Sequence, residues 1–421
     1  MSAPVLTNRV LFGEEAPSWA DLAAETEARI GPASDHAGAR RVFVVGSMRA
    51  AMGAVAMGVA GGLDFGVIEA SRLSPEVVAR FSESGVTLIN AGTGAPHAAQ
   101  ADVADTPVEP GRITVLTSGT TGLLKLIPHT ARTLNTFDRV RDLAPNAWFL
   151  PYQIGSYAWY QMVALGLFVP DQTLVPGDFD DLADSFATAL ARGQVTAISS
   201  TPTFWRHMLM SVDADTLRAA PLRSVSMGGE IVDQAILDRL RGLYPQASLR
   251  HIYASSEAGA AIVVTDGQAG FPATLTDRAD ARVGVRVDGD RLFIRSPYAN
   301  RGEAAEWIDT GDLVERRDGR FHFLGRAGNT MINVGGQKAF PPDIEAHLLA
   351  HPRVVWARVT ARRAPLMGHL PVAEIVLDAP MEAEEAERML TAHCEAALAD
   401  YAVPRMWDML DAIPMRGSLK S

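Results

Sequence analysis

One cysteine, Cys394, is all that the 421 residues provide. A disulfide within the chain is excluded, and a thiolate-ligated metal site lacks its ligands. No basic run occurs, and 49 acidic against 38 basic side chains leave a formal net charge of −11. Bulk attraction to a nucleic-acid backbone is thereby excluded, and an anionic ligand would need local positive charge and backbone N–H groups. Long apolar runs are missing too. Residues 50–63 are rich in Ala and Gly, and Asp64 ends them before a bilayer could be spanned. The start, Met1-Ser2-Ala3-Pro4, lacks the charged-then-apolar pattern of a secretory leader. A cytoplasmic protein with neither a membrane nor a nucleic-acid partner is the expectation.

The composition that remains, 48% hydrophobic and 21% charged, is that of an ordinary globular protein whose length calls for two or three domains. Strand-like runs at 41–46, 66–68 and 86–89 alternate with helix-compatible stretches at 47–60 and 74–83, which predicts a parallel α/β sheet. The alternation resumes with a helix over 178–192, strands at 195–198 and 222–227, and a helix over 232–243. After about residue 281 the texture changes to short alternating strands. Asp-Gly turns at 288–289 and 318–319 signal antiparallel hairpins. From Pro342 the order is helix, strand, strand, helix, with strands near 353–360 and 371–377 and a helix over 382–399, a small α+β domain.

The densest chemistry lies in Thr117-Ser118-Gly119-Thr120-Thr121-Gly122-Leu123-Leu124-Lys125, which follows the apolar run Ile113–Leu116. Four hydroxyls, two glycines and one ammonium in nine residues suit a phosphate chain held by a donor-rich loop at a strand end. It is not a Walker A loop: Lys125 follows Leu124, and no Ser or Thr comes after it. An ordinary Ser/Thr/Gly turn has a similar composition, so the run needs partners elsewhere.

Those partners occur in order. The run resembles the phosphate-binding segment of the adenylate-forming superfamily, which contains acyl- and aryl-CoA ligases, peptide-synthetase adenylation domains and luciferases. Leu126–Thr130 resembles the strand that follows it. Tyr253-Ala254-Ser255-Ser256-Glu257 resembles the block whose aromatic stacks on adenine and whose glutamate holds Mg²⁺ on the phosphates. Asp309-Thr310-Gly311-Asp312 with Gly325-Arg326 resembles the ribose block, in which the carboxylate at 312 accepts both hydroxyls. Gly229 and Glu230 fall on the adenine side of the same resemblance. Met331–Glu345 resembles the start of a mobile lid, with Gly335 and Gly336 beside the thiol channel and Gly328 in the place of the hinge, where glycine tolerates a large φ/ψ change. Lys420, six residues after Pro414, keeps the spacing of the lysine that bridges the substrate carboxylate and the α-phosphate.

The resemblance covers roughly residues 42–421, with a reduced first subdomain, as in compact bacterial succinylbenzoate-CoA ligases. It implies a large N-terminal domain (1–325) of parallel α/β sheets and a distorted antiparallel barrel. A small mobile α+β lid (326–421) follows. The implied activity is ATP-dependent and Mg²⁺-dependent: a carboxylic acid becomes acyl-AMP and pyrophosphate, then passes to the thiol of CoA or of a carrier-protein phosphopantetheine. A nucleotide-binding homologue without catalysis is the reading from another class. Residues 148–160 take the place of the acyl-pocket helix. They hold no aspartate for an α-ammonium, which an apolar pocket would leave unpaired at high cost. Tyr152, Gln153, Tyr157 and Trp159, with Gly228 and Ala254, favour an aryl or short acyl acid, although such aromatics serve equally well as core.

Overall fold

The computed structural model describes residues 3–97, 100, 103–118, 124–137, 143–278, 281–300, 306–327, 331–364 and 368–414. The chain divides into two compact units. One contains Met1–Ser199, Ser255–Ala260 and Pro297–Ala304; the other contains Ser200–Ala254, Ala261–Ser296 and Ala305–Ser421.

The first unit begins with helix α1 (Trp19–Ile30), opened by a capping box between Ser18 and Asp21. Then come β1 (Arg41–Val45), α2 (Met48–Ala60), β2 (Phe65–Glu69), α3 (Pro75–Glu83) and β3 (Thr87–Asn90), the alternation expected from the sequence. Ser47 and Ser74 cap the two helices, and Pro75 occupies a first-turn position where its missing N–H costs nothing. Four consecutive residues of β1, Val42 to Val45, are buried, as in a parallel strand covered on both faces. Gly53 lets α2 press on α1: a Cβ there would lie 2.2 Å from Thr26 Oγ1.

β4 (Arg112–Ser118) runs parallel to β2, and β5 (Leu124–Thr130) returns antiparallel to β4, giving the order β3-β1-β2-β4-β5. Pro128 is tolerated in β5 because that strand lies at the edge. The short α4 (Ala131–Leu134) follows. β6 (Asn146–Leu150), α5 (Tyr157–Phe168), β7 (Gln172–Pro176), α6 (Leu182–Ala191) and β8 (Ala197–Ser200) resume the α/β pattern, with β7 and β8 parallel to β6.

The second unit takes in α7 (Pro202–Ser211), α8 (Ala214–Ala219), β9 (Ser224–Gly228), α9 (Gln234–Leu243) and all but the facing ends of β10 (Ser248–Ser255) and β11 (Gly259–Val264), and β9 and β10 pair in parallel. Then come β12 (Phe271–Pro272), β13 (Gly284–Asp288), β14 (Arg291–Arg295), β15 (Ile308–Arg317) and β16 (Arg320–Arg326), an antiparallel sheet in the order β12-β16-β15-β14-β13. Its register shifts within β14/β15 and β15/β16 supply the distortion. The 318–319 turn forms as the sequence predicts, with Asp318 and Gly319 both at positive φ. The other hairpin turns one residue later than expected: Asp288 pairs with Arg291, so the loop is Gly289-Asp290.

The remainder contains β17 (Ile332–Val334), β18 (Gln337–Ala339), α10 (Pro341–Leu349), β19 (Val354–Ala364), β20 (Gly368–Leu377), α11 (Ala383–Glu395) and β21 (Met406–Met409). The strand order is β18-β17-β20-β19, with β21 parallel to β20. Ile344, Leu348, Ile375, Leu390 and Cys394 share its core. Burial pushes the Cys394 thiol up to about 11, so the lone cysteine is an unreactive packing residue. Among the described residues no helix is long and apolar enough to cross a membrane.

Candidate active site

In the first unit, β4 and β5 pair antiparallel, and the described ends of the hydroxyl-rich run lie on these two strands. Thr117 lies opposite Lys125 and Ser118 opposite Leu124. Gly119, Thr120, Thr121 and Gly122 lie outside the described residues, as do Gly328 and Lys420. Lys125 is exposed and pairs with no carboxylate among the described residues, which leaves its ammonium available to an anion.

Glu257 sits in the turn after β10, half-buried, its carboxylate without a hydrogen-bond or ion-pair partner among the described residues. The backbone around it is held. Ser256 O accepts from His129 Nε2 at 2.8 Å, Glu257 O accepts from Asn300 N at 3.1 Å, and Ala258 N donates to Ser255 Oγ at 3.0 Å. His129 is only 2% exposed, and burial drives its pKa down to about 4, so the ring is neutral at physiological pH. No cluster of three or more potential metal ligands occurs among the described residues. A lone, unpaired carboxylate fits a cation carried mainly by phosphate oxygens and water, the habit of Mg²⁺, and does not fit an all-protein cage.

The expected acyl-pocket segment is not one helix. Tyr152 and Gln153 lie in the loop before it, and α5 starts at Tyr157 with Ser156 as its cap. The Tyr152 hydroxyl lies 3.1 Å from Ser199 Oγ. Tyr157 accepts from Gln161 Nε2 at 3.0 Å, its ring tilts on His129, and burial pushes its phenol pKa up. Trp159 is fully buried with its indole N–H on Met48 Sδ, and Tyr160 accepts from Val67 N. The aromatics at 159 and 160 therefore pack the core, while Tyr157 and Gln161 add polar atoms beside it. Gln161, His129 and Asn300 were not singled out by the sequence, because each acquires its partner through folding.

In the second unit Tyr253 stacks on Phe323, with ring centroids 5.0 Å apart and planes 17° off parallel, and its hydroxyl donates to Asp312 Oδ2 at 2.5 Å. Arg326 Nε donates to Asp312 Oδ1 at 3.1 Å. Burial and then the Asp312 charge hold the Tyr253 phenol far above its usual pKa, so it stays a donor. Asp312 N donates to Thr310 Oγ1, which donates to Leu292 O, and this fixes β15 where the carboxylate emerges. Register brings Asp312 directly opposite Arg326. Tyr253, Asp312 and Arg326, three of the five residues that the sequence assigned to a nucleoside, thus meet, and Phe323 joins them.

Gly228 ends β9 where a Cβ would come within 2.7 Å of Ile252 O, and Gly229 has φ +82°. Glu230 accepts from the N–H and hydroxyl of Thr203 at 3.0 Å each, at the first turn of α7. Ala254 lies half-buried near the end of β10. Gly335 and Gly336 are the exposed two-residue loop of the β17–β18 hairpin, both at positive φ.

The family described as AMP-binding enzyme matches residues 24–311, and that described as AMP-binding enzyme C-terminal domain matches residues 343–420. A 2-succinylbenzoate–CoA ligase of Bacillus velezensis is 28% identical over 263 residues, 57% of this chain and 51% of that protein. A mouse mitochondrial acyl-coenzyme A synthetase, ACSM4, is 25% identical over 342 residues, 71% of this chain and 57% of its own. The chain spans about half the length of the curated relatives it matches. Among solved structures, the anthranilate CoA ligase AuaEII in complex with anthranoyl-AMP superposes with a TM-score of 0.73 at 17% identity, covering 99% of this chain and 92% of that one. The o-succinylbenzoate CoA synthetase of Bacillus subtilis, in complex with its acyl-adenylate intermediate, gives 0.67 at 20% identity, with 98% and 94% covered. At these identities the superpositions establish the fold.

Proposed function

The chain belongs to the AMP-binding enzyme family, and from that premise we propose that it is a cytoplasmic AMP-forming acid–thiol ligase. The carboxylate of a small aryl or short acyl acid attacks the α-phosphorus of ATP, and pyrophosphate leaves. A thiol then attacks the acyl carbon, AMP leaves, and the thiol proton goes to solvent. The observation that carries this reading is the Tyr253–Asp312–Arg326 cluster, a mostly buried carboxylate beside an aromatic stack, suited to a ribose diol and a purine face.

The remaining roles rest on the family resemblance and agree with the chemistry of the side chains. Thr117, Ser118, Gly119, Thr120, Thr121, Gly122 and Lys125 would hold the phosphate chain. Glu257 would hold a magnesium ion, which supplies neutralising charge on the phosphates. Lys420 would offset charge shared by the acid and the α-phosphate. Residues 326–421 would form a lid hinged near Gly328. In the present arrangement Arg206 Nη1 donates to Val355 O at 3.2 Å, and Arg317 pairs with Asp343 at 2.7 Å. Both contacts would break on rotation.

CoA is the favoured acceptor and a carrier-protein phosphopantetheine the second, since the same thiol arm serves both. ATP–pyrophosphate exchange with a panel of aryl and short acyl acids tests the reading. Exchange that depends on one class of acid is expected. ATP binding without exchange for any acid would favour a non-catalytic nucleotide-binding protein. Thioester yield with free CoA against a purified carrier protein then identifies the acceptor.

A further inference from the structure

We infer that His129 is a positioning residue for Glu257, an imidazole that fixes the carboxylate-bearing turn to the strand leaving the phosphate loop. The inference rests on assigning Glu257 to the metal and phosphate end of ATP. A backbone carbonyl only accepts, so the 2.8 Å contact to Ser256 O places the His129 proton on Nε2. Nδ1 is then an acceptor, facing Thr133 Oγ1 at 3.0 Å. That hydroxyl is itself placed: it accepts from Thr130 N at 2.9 Å, and its proton is shared between Nδ1 and Thr130 O at 3.1 Å. The ring has no rotational freedom left, and burial keeps it neutral.

Peptide planarity turns this into control of Glu257. The Ser256 carbonyl shares a rigid plane with the Glu257 N–H, and the Glu257 carbonyl shares the next plane. His129 anchors the first plane from 127 residues away, and Asn300 N anchors the second. Both planes flanking the Glu257 Cα are thus held by distant groups, while the carboxylate bonds to nothing among the described residues. A turn needed only for packing gains nothing from an unpartnered, half-buried carboxylate. A site awaiting a cation requires one. His129 also lies four residues after Lys125 on β5, so one strand carries both the ammonium for the phosphates and the imidazole that places the carboxylate.

Calorimetric ATP binding with and without Mg²⁺ tests this without relying on turnover. For the wild type, Mg²⁺ should strengthen ATP binding. His129→Ala and His129→Asn, whose side chains fall short of Ser256 O, should each reduce that gain about tenfold, the scale of one hydrogen bond. His129→Gln, which can reach, should keep most of it. In a Glu257→Gln background, His129→Ala should change nothing further. An equal loss in both backgrounds, a fall in Mg²⁺-free ATP affinity of the same size, or wild-type binding indifferent to Mg²⁺ would overturn the inference. Absence of pyrophosphate exchange with the Mg²⁺-linked binding pattern intact would instead remove the proposed reaction and leave the His129 role standing.

Discussion

Asp312 in the second unit is 14% exposed and fully engaged, with Arg326 on one oxygen and Tyr253 on the other. Glu257 in the first unit is held by its backbone and has no partner for its carboxylate among the described residues. On the proposed reading, a ribose at Asp312 would join bonds already made, whereas a cation at Glu257 would meet a carboxylate with no partner among the described residues. The contrast teaches that a carboxylate can be prepared for a ligand in two ways: neutralised in advance by groups that will share it, or aimed and left charged. In the first case binding and stability are coupled; in the second they are separable.

The largest expected effect separates binding from chemistry. Lys420→Ala should lower adenylation by roughly 10²–10³, the scale for removing one oriented electrostatic group. ATP affinity and thioester formation from supplied acyl-adenylate should largely survive, and equal loss in both steps would count against this role. Next, Asp312→Ala should weaken ATP binding by about 10–100-fold, as two charge-assisted bonds are lost. It should also lower the melting temperature, because Arg326 and Tyr253 lose their acceptor. Glu257→Gln should weaken Mg²⁺-dependent ATP binding by about tenfold yet leave the melting temperature unchanged or raised. A matching loss of stability in both mutants would break the comparison.

Smaller effects sharpen it. Tyr253→Phe keeps the stack on Phe323 and removes one donor to Asp312, so ATP affinity should fall about two- to fivefold, measurable by calorimetry. A third carboxyl, Glu345 on α10, represents an intermediate case. It accepts from Val359 N at 2.7 Å, but desolvation, opposed by that bond and by Arg358 and aided by Glu230, raises its pKa to about 7. The folded state thus holds this proton more tightly than the unfolded chain. The associated stability is complete below the unfolded pKa near 4.5 and is lost as pH rises through about 7. Melting curves at pH 5.5 and pH 8 should diverge less in Glu345→Gln than in the wild type.

Much of this was legible in the sequence wherever the cause is local. The Asp318-Gly319 turn and the α/β alternation each depend on a few neighbouring residues and formed as expected. Tyr253, Asp312 and Arg326 could be named because each lies in a short block, and register then brought them together. What stayed hidden depends on separation along the chain. Nothing near His129 announces Ser256, and nothing near Glu257 announces Asn300. Residues 148–160 could not be divided between core and pocket, since a tyrosine or tryptophan serves both. Only the folded environment sent Trp159 to Met48 and Tyr157 to Gln161. The Asp288-Gly289 turn moved by one residue because strand pairing extended through Asp288.

The most direct test of the central claim is nucleotide product analysis. The purified chain is incubated with ATP, Mg²⁺, a carboxylic acid and CoA, and the nucleotides are separated by chromatography. AMP and pyrophosphate should appear in equal amounts, only when an acid is present, with acyl-AMP detectable by mass spectrometry when the thiol is withheld. Formation of ADP and phosphate, or no nucleotide turnover with any acid, would contradict an adenylate-forming ligase.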